Sequence, residues 1–475
     1  MVSVTNKQYF ISSVRHSLSD MREIIFRDNL YIYIGDSLTC REEQDKNGKD
    51  YLILGDAYCS GEYCSVEDAV RDFCGSEIND LVYRWTGRWI IIAEDEIQID
   101  ACGLMQAFYG ADNDGWFISS SLAVISKITK LHISGEVDNY GVNWQLLPLT
   151  LIDNVKSLFC TQRIKYAGLK MEVVPNLWVK DLTRLTTDEK VEILAGNLKT
   201  AISNIQKYSG RDIWIALTAG KDSRLVLAAA IDAKVKFQTY NSEHSSISRS
   251  DIHLPDKIAS DYDFTHRHIR VKRKSTFKGR EYLHFNGGNS KGADLEFYAN
   301  GQHDCIPSNA IVIRGAIFEA GQRFGRTILS GNIDHFYLEY TKYYAQSFEH
   351  PKQRKALNIW IQNAIDCPIK FLDIRDRFYL EQRVGGWAAS IEQSLGINRW
   401  NSLQLANNRE ILSVLLSASE EERNDTLLAY DSIRILEEGL LKYGVNEPHI
   451  CDTVKYYIRK LLSFPKFFMY LKMKY

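Results

Sequence analysis

The sequence predicts an α/β protein in two parts: antiparallel layers of short strands up to about residue 180, then a parallel-sheet domain from about 185 with a helical C-terminal part. Three observations predict it. Before residue 180, short β-rich runs alternate with Gly, Asp and Asn turns. Between 212 and 240 a strand, a tight turn, a helix and a second strand follow at the spacing of a parallel crossover. Beyond 340 the apolar residues recur mostly at helical spacing.

In chain order, Leu30-Tyr31-Ile32-Tyr33-Ile34, Tyr51-Leu52-Ile53-Leu54 and Trp89-Ile90-Ile91-Ile92-Ala93 read as strands of the first part, because β-branched and aromatic residues suit a pleated, buried surface. A charged helix from Thr187 to Tyr208 leads into an apolar strand at 212–217. An alanine- and leucine-rich helix follows the turn, then a strand at 234–240, and Ala310-Ile311-Val312-Ile313-Arg314 reads as a third strand that runs into Gly315. The sequence contains neither an internal repeat nor a low-complexity linker.

At 475 residues, and roughly 150 per domain, two domains are expected. A hydrophobic content of 45% beside 25% charged residues is that of an ordinary globular chain with ample core material. Lys plus Arg total 58 against 60 Asp plus Glu, so net charge supplies no reason to expect nucleic-acid binding. The nine cysteines are scattered and lack Cys-x-x-Cys spacing, which speaks against a zinc or disulfide framework and for reduced thiols in a cytoplasmic protein. The first residues carry no charged segment followed by an apolar core, and no apolar run reaches about 18 residues, so neither export nor a membrane span is expected.

The turn from Leu217 to Arg224 constrains function most. Thr218, Ala219 and Gly220 are small enough to let the backbone approach a phosphate, and the first amides of the next helix point their N–H groups and positive dipole end at it. Asp222 would repel a phosphate unless a divalent cation bridges the two, since hard cations take carboxylate and phosphate oxygens together. An ordinary strand-to-helix turn has the same outline. The turn lacks the Gly-x-x-x-x-Gly-Lys-Ser/Thr spacing of a Walker loop.

Thr218-Ala219-Gly220-Lys221-Asp222-Ser223 resembles the Ser-Gly-Gly-x-Asp-Ser loop of ATP pyrophosphatases, specifically the asparagine synthetase superfamily, with Thr for Ser and Ala for the first Gly. Upstream, Gly87-Arg88-Trp89, Asp100-Ala101-Cys102-Gly103 and Trp116-Phe117-Ile118-Ser119-Ser120-Ser121-Leu122 resemble, in order and spacing, stretches of that family's glutaminase half. The resemblance implies a degenerate αββα glutaminase-like (Ntn-type) domain over 1–180 and an ATP pyrophosphatase domain over 185–475. It implies ATP and Mg2+, with Leu217, Thr218, Ala219, Gly220, Lys221, Asp222 and Ser223 around the pyrophosphate and Asp222 on the metal. Lys221 and Arg224 either add charge there or are solvated. In such glutaminases the nucleophile is a cysteine at the mature N-terminus; here Val2 stands there and no cysteine precedes Cys40, so glutamine hydrolysis is not expected. Cys102 is expected to be a small buried cysteine instead of a substitute nucleophile.

Arg314-Gly315-Ala316-Ile317-Phe318-Glu319 and the residues to Arg323 are similar to the Ser-Gly-Glu-Gly-Ser-Asp-Glu stretch of the family. Gly315 then joins the nucleotide site and Glu319 falls at the second metal-binding Asp, beside Asp222 at the strand ends; otherwise it is a helix N-terminal glutamate favoured by the dipole. Ala316 falls where the family usually carries a catalytic Glu or Tyr. Asp376 to Trp387 and Asn401 to Glu410 resemble the helix and loop that close the acceptor side, with Ala406-Asn407-Asn408 in the loop. Tyr379 and Arg383 lie four apart on one helix face. Glu381 or Arg383 faces the substrate, or makes a structural ion pair across helices. Tyr240 and Asp251 fall where adenine and ribose are positioned, and Lys442 is a candidate for the family's late lysine.

Two features stand aside from this reading. His266-Arg267-His268 has two imidazoles two apart, a pattern more often found on a plain exposed strand than at a transition metal, and no metal is assigned to it. The basic, aromatic tail with Lys455, Arg459, Lys460 and Phe464 fits a closing helix better than a membrane surface or an anionic partner.

The expected function is magnesium-dependent adenylation of a carboxylate followed by attack of an amine to form an amide, without glutamine hydrolysis. The expected partners are a small-molecule or peptide carboxylate and an amine, with ammonia or an acceptor amine as nitrogen source, and a homodimer is compatible with this. Relatives lacking the cysteine include β-lactam synthetases and lasso-peptide cyclases, so natural-product or surface-polysaccharide modification is in view. The alternative is a catalytically degenerate scaffold, nucleotide-binding or without any nucleotide.

Overall fold

Two antiparallel six-stranded sheets face each other in the N-terminal part. Their strands are β1 (Tyr9–Ser12), β2 (Arg22–Phe26), β3 (Leu30–Ile34), β4 (Cys40–Gln44), β5 (Asp50–Cys59), β6 (Trp85–Ile92), β7 (Glu96–Ile99), β8 (Phe108–Ala111), β9 (Trp116–Ser119), β10 (Lys156–Ser157), β11 (Gln162–Ala167) and β12 (Lys170–Pro175). One sheet has the order β10-β8-β9-β1-β3-β2 and the other β12-β11-β7-β6-β5-β4. The computed structural model describes residues 3–27, 30–112, 114–135, 137, 142–243, 247–270, 285–290, 302–323, 325 and 328–445. Val2, Cys451 and the basic tail lie outside them.

The period of two along each strand divides the apolar residues between layers. Leu52, Leu54, Ile90 and Ile92 meet Ile11 and Ile32 of the opposite sheet. The intervening Tyr51, Ile53, Trp89 and Ile91 pack on helices α1 (Val66–Asp72) and α2 (Ile78–Val82). Phe10, Tyr33 and Phe117 pack under α3 (Leu122–Ile128) on the far side of the other sheet. These strands read as unbroken hydrophobic runs because both faces are covered, and the result is an αββα stack.

After β12, α4 (Thr187–Ser209) begins at a capping box in which the Thr186 side chain accepts from the Glu189 amide and the Glu189 carboxylate accepts from the Thr186 amide. It ends at Gly210, whose φ of 62° is the left-handed cap that glycine takes without strain. Then come β13 (Asp212–Ala216), α5 (Lys221–Asp232), β14 (Phe237–Glu243), α6 (Ser250–Asp261), β15 (His266–Arg270) and β16 (Ala310–Arg314). Helices α7 (Ile333–Tyr343) and α8 (Pro351–Asp366) follow, then a helical stretch over 374–394 whose middle, Tyr379–Ala388, winds as a π-helix, then β17 (Asn401–Gln404), and after it helices over Arg409–Leu416, Glu420–Asn424 and Leu427–Glu437. The five strands form one all-parallel sheet of order β15-β14-β13-β16-β17.

Two details depart from the sequence reading. The second strand starts at Phe237 rather than 234, because Lys234 takes a left-handed φ of 53° that ends the preceding turn. The four-residue β17 lies inside a stretch read as helical, since Asn401, Ser402 and Gln404 give no strand signal; burial against β16 and the N-terminal layers makes it one.

The loop after β17 turns its polar side chains into the protein. Asn407 accepts from the Cys102 amide and donates to the Asp100 carboxylate, both at 2.8 Å, and Asn408 donates to Ser60 Oγ at 2.8 Å. Arg409 reaches Asn79 Oδ1 at 2.7 Å and Gln98 Oε1 at 3.0 Å. All three are fully buried, so this loop stitches the parallel sheet to the αββα layers. Cys102 is buried beside it, as a small core cysteine, and burial pushes its thiol up. No helix among the described residues is long and apolar enough to cross a membrane.

Candidate functional site

In the parallel sheet the strand order reverses between β13 and β16, so the connections leaving their C-terminal ends diverge and open the crevice where such sheets take ligands. Leu217 to Gly220 leave β13 there, and Gly315 to Ile317 leave β16. The Leu217 amide donates to the Tyr240 carbonyl at 2.8 Å. Tyr240 therefore holds the loop through its backbone, while its ring is buried 6.2 Å from Trp214.

The loop is braced from within. The Thr218 amide donates to Ser223 Oγ at 3.1 Å, the Gly220 amide to Thr218 Oγ1 at 3.1 Å, and the Ala219 amide to Asp251 Oδ1 at 2.8 Å. Asp251 is thus a partner of the loop itself. Helix α5 starts at Gly220, which supplies no capping side chain for its first turn.

Asp222 lies in that first turn. Its Oδ1 is buried without a hydrogen bond and has only a long 3.4 Å ion pair to its neighbour Lys221. Burial raises its pKa, and Glu319 across the crevice raises it further against the pull of Lys221. Two carboxylates near enough to influence each other, one with an orphaned buried oxygen, are donors of the kind a hard divalent cation takes, so the chemistry of Asp222 and Glu319 fits Mg2+. Glu319 sits on a short 3-10 turn entered through Ile317 at a φ of 77°. A β-branched residue there is a genuine outlier, and such strain collects at functional turns.

The π-helix supplies the other wall. The Tyr379 hydroxyl donates to Glu319 Oε2 over a long 3.4 Å, and the Arg383 guanidinium stacks 3.5 Å from the Trp387 ring. Burial lowers the Arg383 pKa while Glu319 and Tyr379 raise it, which puts this cation among the groups of the crevice. Glycines 385 and 386 let the wide π turn sit against Cys102, Trp144 and Leu147 of the N-terminal part.

Three residues of the sequence reading take other places. Arg224 is buried and donates to the Ala219 carbonyl at 2.9 Å and the Tyr443 carbonyl at 2.6 Å, so it locks the underside of the loop instead of facing a phosphate. Glu381 is fully buried, bonded to Trp360 Nε1 at 2.6 Å, Arg377 Nε at 3.1 Å and the Thr161 hydroxyl, which makes it a structural anion. Lys442 is exposed, 3.9 Å from Asp261, at the end of α6 opposite Asp251 and about 15 Å of helix away.

The sequence reading missed the supports of the second carboxylate. Gln404 accepts from the Ala316 amide at 3.3 Å, and the buried Arg423 donates to the Ala320 carbonyl and to Asp376, both at 3.1 Å. No local pattern marks them, because their partners lie far away in the chain. Burial pushes Asp376 up to about 6 despite Arg423 and Arg323. From about pH 4 to 6 the native state keeps a proton that the unfolded chain has released, so the contribution of Asp376 to stability falls across that window and is level above it. Asp376→Asn should therefore lower Tm more at pH 4 than at pH 7, which a melting series checks; a constant difference would refute it.

Gly315 is required for packing. A Cβ there would lie 2.6 Å from the Asp222 carbonyl carbon and 2.7 Å from the Ser223 nitrogen. Gly315→Ala should push β16 and α5 apart and cost about 1–3 kcal/mol of stability by chemical denaturation.

No protein-family model matches the chain, and no curated protein matches it. Among solved structures it is similar to the glutamine phosphoribosylpyrophosphate amidotransferase of B. subtilis complexed with ADP and GMP, at 9% identity over 67% of this chain and 71% of that one, with a TM-score of 0.21. It is also similar to a structure described as the allosteric regulatory enzyme of purine biosynthesis, at 10% identity over 71% and 73% of the two chains, with a TM-score of 0.23. Likenesses this distant carry no argument about activity.

Proposed function

We propose that the chain is an ATP-dependent ligase of the asparagine synthetase type, which adenylates a carboxylate and passes the acyl group to an amine without hydrolysing glutamine. The reading rests on one observation: Asp222 Oδ1 is buried without a hydrogen bond at the strand-order switch, where the connections after β13 and β16 bring a second carboxylate, Glu319, within electrostatic reach. The substrate carboxylate attacks the α-phosphorus of ATP, pyrophosphate leaves, and the amine then displaces AMP from the acyl carbon as the amide forms. The uncapped first turn of α5 receives the pyrophosphate end. Asp222 and Glu319 would hold Mg2+, which supplies positive charge to the leaving group. Arg383, planar and held on Trp387, suits a carboxylate of the acceptor side. Cytoplasmic location and a homodimer remain part of this proposal.

One observation favours the degenerate scaffold. The amides of Thr218, Ala219 and Gly220 already have partners inside the protein, so these three donors are not free for a phosphate. Exchange of labelled pyrophosphate into ATP decides between the readings, with cell-extract pools as the carboxylate source and Mg2+ present or chelated. Magnesium-dependent exchange supports the ligase; no exchange with any pool, together with no ATP binding, supports the scaffold.

A further inference from the structure

His266 and His268 lie two apart on β15, so their rings stand on the same face of the edge strand, 5.0 Å between centroids. Directly opposite them on β14 are Thr239 and Asn241. His266 Nδ1 is 2.8 Å from Thr239 Oγ1, and that hydroxyl also lies 3.4 Å from the Thr265 carbonyl, so it can donate there while accepting from the ring nitrogen. His268 Nδ1 is 2.8 Å from Asn241 Oδ1. The Asn241 amide nitrogen donates to the Asp251 carbonyl at 2.6 Å, which turns its oxygen toward the ring. Both imidazoles therefore have Nδ1 engaged on an oxygen of β14, which leaves Nε2 as the nitrogen for other partners. His266 Nε2 is buried with no hydrogen-bond partner, and His268 Nε2 is 2.9 Å from Asp256 Oδ1 of α6.

We propose that His266 Nε2, His268 Nε2 and the Asp256 carboxylate form a binding site for a divalent transition cation of the zinc class. One ligand atom from each lies within 4.8 Å of the others. Ligand atoms of a tetrahedral zinc, with bonds of roughly 2.0–2.1 Å, stand about 3.3 Å apart, so closing the set needs only side-chain adjustment at the exposed Asp256 and His268. Metal-bound imidazoles characteristically give their other N–H to an oxygen acceptor, the arrangement Thr239 and Asn241 provide. Two nitrogens and one carboxylate favour zinc and its neighbours over magnesium, and a water completes the fourth position. A His268–Asp256 ion pair alone leaves the buried His266 Nε2 unexplained. The cation clips α6 to the sheet edge, on the helix that brings Asp251 to the Ala219 amide.

The test uses the full chain freed of metal by chelator, titrated with Zn2+ against a chromophoric competitor in the absence of ATP and Mg2+, so that its result is independent of pyrophosphate exchange. One saturable site is expected, weakened about 100-fold in both His266→Gln and His268→Gln, each with unchanged circular dichroism. Co2+ should give tetrahedral d–d bands in the wild type and lose them in both variants. Any zinc taken by free cysteines such as Cys59 and Cys64 is common to all three proteins and serves as the background. No saturable zinc binding above that background, or the same affinity and stoichiometry in both variants, overturns the proposal.

Discussion

Asp222→Asn is expected to lower magnesium-dependent pyrophosphate exchange by roughly 10²–10³-fold, the scale on which one preorganised charge-stabilising group acts, and to leave the protein at least as stable as the wild type. Both halves follow from the same geometry. The Asp222 carboxylate has an oxygen with no hydrogen bond, is largely desolvated, and feels the charge of Glu319. Its pKa is raised above the ordinary 3.8, so the folded state holds a proton that the unfolded chain has already lost, and its contribution to stability declines as pH rises from about 4 through the raised value. A neutral amide removes that penalty. The Tm of Asp222→Asn should equal or exceed the wild-type value at pH 7 and lose the advantage below pH 4. Glu319→Gln should cost exchange similarly, and the double variant little more than either single one, because two ligands of one cation act as a unit. Exchange undiminished in Asp222→Asn would sink the reading. A variant that loses exchange by unfolding would show it in the melting curve, which keeps the two outcomes apart.

What the sequence disclosed is what local chemistry controls. The apolar runs at Leu30–Ile34 and Tyr51–Leu54 read as strands and are strands, the second extending over Asp50–Cys59, and the Thr186 and Glu189 pair with Gly210 bounds α4 to within a residue of the reading. Small residues between β13 and α5 marked the loop, and the glycine after β16 marked the second connection. Long-range burial of polar groups was illegible. Asn407, Asn408 and Arg409 look like a solvated loop, yet their partners Asp100, Ser60 and Gln98 lie some 300 residues upstream and bury them. The His266 and His268 pair looked like an ordinary exposed strand for the same reason: Thr239, Asn241 and Asp256, which orient the rings and complete the donor set, come from a neighbouring strand and helix. Arg224, beside the loop in sequence, turns to carbonyls at Ala219 and Tyr443 because α5 points it inward.

Glu381→Ala is expected to destabilise the protein by about 3–5 kcal/mol, the cost of stranding one member of a buried ion pair, while each molecule that remains folded keeps its exchange activity. Glu381 sits at a junction of three elements. It accepts from Arg377 one helical turn back, from Trp360 on α8 and from Thr161 beside β11, and no part of it reaches solvent. Without it the Arg377 guanidinium keeps the carbonyls of Ala364 and Cys367 but has no counter-charge, and the Trp360 and Thr161 donors lose their acceptor. Glu381→Gln keeps the shape and one acceptor oxygen and should fall between wild type and alanine in denaturant midpoint. A catalytic glutamate would give the opposite signature, with Glu381→Gln inactive at wild-type stability. Chemical denaturation and exchange per folded molecule, measured on the same three proteins, therefore separate a residue that shapes the π-helix wall from one that touches substrate. The same pair of measurements on Asp222 should give the reverse result, because Asp222 holds an unsatisfied charge at a crevice while Glu381 is a fully satisfied one inside the core.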